Sequence, residues 1–151
     1  MNTIKSMMDH MYWADGIIMD ALQDSGTNNK ELFRLVRHIA IAERVWLLRL
    51  NGKSSAHYSL WEEAEDLTTL RTMFKENAKQ YQLYIEGLDP SQLDEMIDYA
   101  NQSGVPFRTS VRDILLQVPL HGQYHRGQIN RALRSEPAEP AQVDYITFAR
   151  L

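Results

Sequence analysis

The chain has 151 residues, a formal net charge of −4 and no cysteine. That length predicts one domain over residues 1–151, large enough to bury a core unaided, and the missing cysteines exclude disulfides, thiolate ligands and a cysteine nucleophile. The acidic balance argues against a nucleic-acid partner, which needs a basic surface to meet phosphates. No apolar run approaches the ~20 residues of a membrane span, and residues 1–14 lack a signal-peptide pattern, so no membrane partner and a cytoplasmic location are expected.

In chain order, Ile4, Met8, Met11, Ile18 and Leu22 recur at helical spacing, interrupted by Asp15 and widened by Tyr12, Trp13 and Ile17. Ser25-Gly26-Thr27-Asn28-Asn29 ends this first helix. A second helix is predicted over Lys30–Leu50, stopped by Asn51-Gly52. Its apolar face carries Leu32, Leu35, Val36, Ile39, Ala42, Val45, Trp46 and Leu50. At about 100° per residue, His38 falls within about 60° of Leu35, Ala42 and Val45, and so points inward. Residues 51–66 read as a long connection that Trp61 anchors onto the helices. A third helix is predicted over Asp66–Leu88, with Leu67, Leu70, Phe74, Ala78, Tyr81, Ile85 and Leu88 inward and Gly87 and Pro90 closing it.

Residues 93–109 break the helical pattern. Met96, Ile97, Tyr99, Val105 and Phe107 flank Asn101-Gln102-Ser103-Gly104, which suits a short hairpin with glycine in its turn. A two-stranded ribbon is marginal alone, so it must lie against the helices. Thr109 or Ser110 then caps the last long helix, with Asp113 placed as in a capping box, and Pro119 predicts a kink within it. The tail after Ser135 is expected to pack back through Tyr145, Ile146 and Phe148. The fold class is therefore all-α, an antiparallel four-helix bundle with a short β-ribbon before the fourth helix.

The chemistry concentrates in that fourth helix. His121 and His125 stand at i and i+4, which stacks them on one face with Cβ atoms roughly 5–6 Å apart. Two imidazoles at that spacing can converge on one ion or line a polar groove. An inward His38 on a facing helix favours the ion, because bundle cores are where metal sites are built from facing helices. His10 is read as structural or solvent-facing, and His57 as a loop residue outside the ligand set. Glu43 is placed on the wrong side of its helix to support a ligand, whereas Gln117 and Gln128 lie nearer the right face. Arg126, Arg131 and Arg134 gather near one helix end, where they would complement the helix dipole and solvate an outer face.

Four segments occur in order: Tyr12-Trp13-Ala14-Asp15, His38-Ile39-Ala40-Ile41-Ala42-Glu43-Arg44-Val45-Trp46, His121-Gly122-Gln123-Tyr124-His125-Arg126-Gly127-Gln128-Ile129 and Asp144-Tyr145-Ile146. This arrangement resembles the DinB/YfiT-like family of metal-binding four-helix bundles. The sequence departs from the family pattern at Pro119, close to a ligand, and at Ser135-Glu136, where a glycine commonly follows the last helix. The resemblance implies His38, His121 and His125 as ligands of one divalent metal ion. Three neutral imidazoles leave such an ion an open position, whereas structural zinc sites are four-coordinate and usually cysteine-rich. Imidazole suits zinc, nickel, copper and iron; zinc or nickel is expected. The resemblance further implies transfer of a low-molecular-weight thiol, such as bacillithiol or mycothiol, to an electrophilic substrate. It also implies a homodimer, for which Met- and aromatic-rich outer positions of helices one and four would supply the contact. Alternatives are a metal-dependent hydrolase, weakened by the lack of an obvious carboxylate beside the histidine pair, and a non-catalytic, damage-inducible metal-binding protein.

Overall fold

The computed structural model describes residues 1–64 and 66–151. Four long helices form the body: α1 (Asn2–Ser25), α2 (Lys30–Leu50), α3 (Leu67–Glu86) and α4 (Val111–Leu133). A single 3-10 turn, Pro90–Asp94, leads into β1 (Met96–Ala100), which pairs antiparallel with β2 (Pro106–Ser110), and a one-turn α5 (Tyr145–Phe148) ends the order. The ribbon is hydrogen-bonded to the start of α4, where Val111 N donates to Glu95 O at 2.9 Å.

The boundaries have local causes. Asn29 Oδ1 accepts from Glu31 N at 3.0 Å and opens α2; Asp66 Oδ1 accepts from Thr69 N at 2.8 Å and opens α3. Ser110 caps α4, accepting from Asp113 N at 3.1 Å while its hydroxyl donates to Asp113 Oδ2 at 2.7 Å. Each such cap satisfies a backbone donor that the helix itself cannot. Gly26 ends α1 at φ 61° and Gly104 turns the hairpin at φ 80°, conformations that favour glycine. Helix α4 runs unbroken from Val111 to Leu133 with Pro119 inside it.

Helix α2 packs against α3 and α4, and α1 packs against the same two. The apolar core divides along the bundle into two clusters. One joins Ile18, Leu22, Leu32, Val36, Phe74, Ile129 and Leu133; the other joins Met8, Met11, Leu47, Tyr81, Ile114, Leu115 and Val118. Between them every long helix contributes a buried polar residue: Asp15 from α1, Glu43 from α2, Asn77 from α3, and His125 with Arg126 from α4.

The tail packs back as expected through Tyr145 and Phe148, which meet α1 at Ser6, His10 and Trp13, and two further contacts hold it. Val143 is buried in the first cluster, and Asn130 holds the backbone of Ala141 from both sides at 2.8 Å. Ile146 stays 55% exposed. His10 takes the structural role: it is buried, donates from Nε2 to Val143 O at 2.8 Å, and packs edge-on against Tyr145 and Phe148.

Candidate metal centre

His38, His121 and His125 meet in the middle of the bundle. Each offers a ring nitrogen, and the three nitrogens lie within 4.8 Å of one another. His121 Nε2 stands 3.1 Å from His38 Nε2 and 3.1 Å from His125 Nε2. A tetrahedral ion with metal–nitrogen bonds of about 2.0–2.1 Å would separate its ligand atoms by about 3.3 Å. The group is therefore already close to a first coordination shell.

The hydrogen-bond inventory points the same way. His38 Nδ1 donates to Leu60 O at 3.0 Å, which leaves its Nε2 without a proton. His125 Nδ1 faces Gln128 Oε1 at 2.7 Å and is held in the same tautomer. With the other two rings in their neutral forms, only His121 can place a proton among the three Nε2 atoms, and one N–H serves one acceptor well. At least one of the two 3.1 Å contacts thus opposes two lone pairs, an arrangement that a cation at the centre relieves. Burial lowers the basicity of His38, and it lowers His121 to about 4, with electrostatic coupling to His125, His38 and Arg126 reinforcing the shift. Both rings are accordingly neutral near pH 7, the form that coordinates metal.

Among the described residues, no Asp or Glu joins this group. His57 is exposed beside Tyr58 and takes no part. His121 remains half-buried, so the group is not sealed on every side. Trp61, 44% exposed, stacks on His38 with ring centroids 3.7 Å apart and planes at 5°. The connection between α2 and α3 thus reaches His38 twice, through the Leu60 carbonyl and the Trp61 ring.

The DinB family model matches residues 1–151. The chain belongs to the DinB family. Protein DinB of Bacillus subtilis (strain 168) is 27% identical to it over 118 residues, covering 74% of this chain and 67% of that relative.

This DinB-family chain corrects one reading of its charges. Arg126 does not solvate an outer face: it is 0% exposed and its Nη1 donates to Asp15 Oδ1 at 2.6 Å. Asp15 lies in the middle of an apolar stripe, where a lone carboxylate would cost several kcal/mol. That was the signal for a buried cationic partner. Glu43 is not among the groups that meet at the histidines; it is buried and accepts from Asn77. Of the two glutamines left open by sequence, Gln128 meets His125 Nδ1 and Gln117 is exposed.

Proposed function

We propose that this protein is a metal-dependent enzyme that transfers a low-molecular-weight thiol to an electrophilic substrate at the His38–His121–His125 centre. The observation that supports the reading is a three-imidazole group with two rings fixed in the metal-binding tautomer and no carboxylate among the described residues to complete the shell. Zinc or nickel suits such a donor set. A bound divalent ion would supply a Lewis acid that lowers the pKa of a coordinating thiol.

The chain's own contribution is to hold three imidazoles in place and keep one side of the group accessible. In the reaction the thiol sulfur forms a bond to the electrophilic carbon, the bond to the leaving group breaks with its electron pair, and the thiol proton passes to solvent. Zero cysteines fit this scheme, since the nucleophilic sulfur comes with the substrate. A homodimer belongs to the same proposal. Met8, Met11 and Met19 are core residues and cannot serve it, whereas Leu120 and Tyr124 on α4 are exposed.

The test is elemental analysis of tag-free protein followed by turnover. Metal near one equivalent per chain, with metal-dependent formation of a thioether from a thiol and an aromatic halide, is the expected result. Stoichiometric metal with no thioether from any small thiol would leave a metal-binding protein and remove the transferase.

A further inference from the structure

We propose that Arg126, Asp15 and Glu43 act as a positioning clamp that sets the ligand-bearing turn of α4 against His38 on α2. The proposal rests on the metal-centre reading above and assigns a role to side chains that do not themselves touch the ion.

The clamp is threaded through that turn of α4. Arg126 follows His125 directly, and its guanidinium runs back along its own helix to reach Asp15 on α1 at 2.6 Å, while Nε donates to Gln123 Oε1 at 3.1 Å. It passes over Gly122, the residue after His121. A Cβ at Gly122 would stand 2.9 Å from Arg126 Nη1 and 3.4 Å from Cζ and Nη2, its three nearest atoms. Glycine inside a helix costs about 1 kcal/mol relative to alanine, and here the space it leaves is filled by the guanidinium.

The other end of the clamp holds α2. Glu43 lies five residues beyond His38, about 7.5 Å along the helix axis. Asn77 of α3 donates to Glu43 Oε2 at 3.1 Å and to Ala40 O at 2.9 Å, and the Tyr81 hydroxyl donates to Glu43 O at 2.8 Å. Burial and the neighbouring Asp15 charge push the Glu43 carboxyl well above the ordinary range. The Glu43 and Asp15 carboxyls are side-chain neighbours, which joins α2 to the Asp15–Arg126 pair. All four long helices meet here. A fully buried ion pair is often no more stabilising than apolar residues of the same volume, and its best-attested use is to fix register.

Cobalt-loaded protein provides the test, because the visible bands of cobalt report ligand geometry and chelator competition gives affinity. Two variants are compared with wild type: Gly122→Ala, which keeps both charges and forces the guanidinium to shift, and the double variant Asp15→Leu with Arg126→Met, which removes both members of the ion pair. Both are expected to keep the far-ultraviolet helix signal, lose about tenfold or more in cobalt affinity and show shifted bands. Folded variants with affinity within about threefold of wild type and unchanged bands would overturn the clamp. Should the double variant fail to fold, Gly122→Ala decides alone, since it changes no charged residue. Wild-type protein that takes up no cobalt would overturn the metal-centre reading and the clamp with it, which separates the two failures.

Discussion

Replacing His38 with alanine separates the structural role of this side chain from its role as a ligand. In the metal-free protein the substitution removes the hydrogen bond to Leu60 O and the stack on Trp61. Those contribute roughly 1 kcal/mol and roughly 0.5–1.5 kcal/mol respectively. The loss is partly offset, because the variant no longer crowds three ring nitrogens around too few protons. The net cost should therefore stay at or below about 2 kcal/mol, a fall in melting temperature of about 4–8 °C for a chain of this size.

Metal then adds a second, independent measurement. Free zinc or nickel at a hundred times its dissociation constant stabilises wild type by about 2.7 kcal/mol, which raises the melting temperature by about 5–11 °C. For His38→Ala at the same buffered metal concentration the increment should shrink to about 1 °C or less, since two imidazoles hold the ion poorly. His57→Ala, remote and exposed, should keep the full increment. The assay is thermal unfolding by circular dichroism on tag-free protein, with and without buffered metal. A His38→Ala variant whose increment matched wild type would refute the three-histidine site, whatever its metal-free stability.

Gln128→Ala should weaken metal binding by about 10–100-fold with little change in fold, because the Nδ1 partner of His125 is lost; unchanged affinity by chelator competition would show that the amide does not orient the ring. The metal-free protein should lose stability as pH falls from 6.5 toward 4. His121 titrates at about 4 when folded against 6.5 for the free side chain, so the unfolded chain binds more protons in that window. After allowance for its partial exposure the effect is on the order of 1–2 kcal/mol, to be read as the difference between wild type and His121→Ala in urea unfolding at pH 7 and pH 4.5; no difference would contradict the shift. Ser110→Ala should cost about 1 kcal/mol and lower the melting temperature by about 2–4 °C, and an unchanged transition would mean the α4 cap is not formed in solution.

The helices were legible because their signals are local. Residues 30–50 carry an apolar stripe and are followed by an Asn-Gly stop, and α2 spans those residues. The ribbon was equally plain, since Asn101–Gly104 sits between two short runs with strand character. The inward direction of His38 followed from helical phase alone. What helical phase cannot supply is a partner from another element. The Leu60 carbonyl and the Trp61 ring come from a connection with no periodicity, and Gln128 could be narrowed to a face but not to an atom. The same limit shows in the tail: Tyr145 and Phe148 pack on α1 as composition suggested, Ile146 does not, and the added hold from Val143 and the Asn130–Ala141 pair carried no signal of its own.

Arg126 was misread for a different reason. Position near a helix end is evidence about the dipole only when the side chain is free to reach solvent, and Arg126 is not. Two residues carried the contrary signal, Asp15 inside an apolar stripe and Gly122 inside a helix, four residues before the arginine. Neither is favourable on its own: one buries a charge and the other weakens a helix. Together they describe a passage and a partner for a guanidinium. A shift of α4 by one residue would rotate its side chains by about 100°. That single slip would carry Arg126 away from Asp15 and carry His121 and His125 away from His38. The ion pair and the histidine group therefore report on the same register, and a packing of α4 that satisfies one satisfies the other.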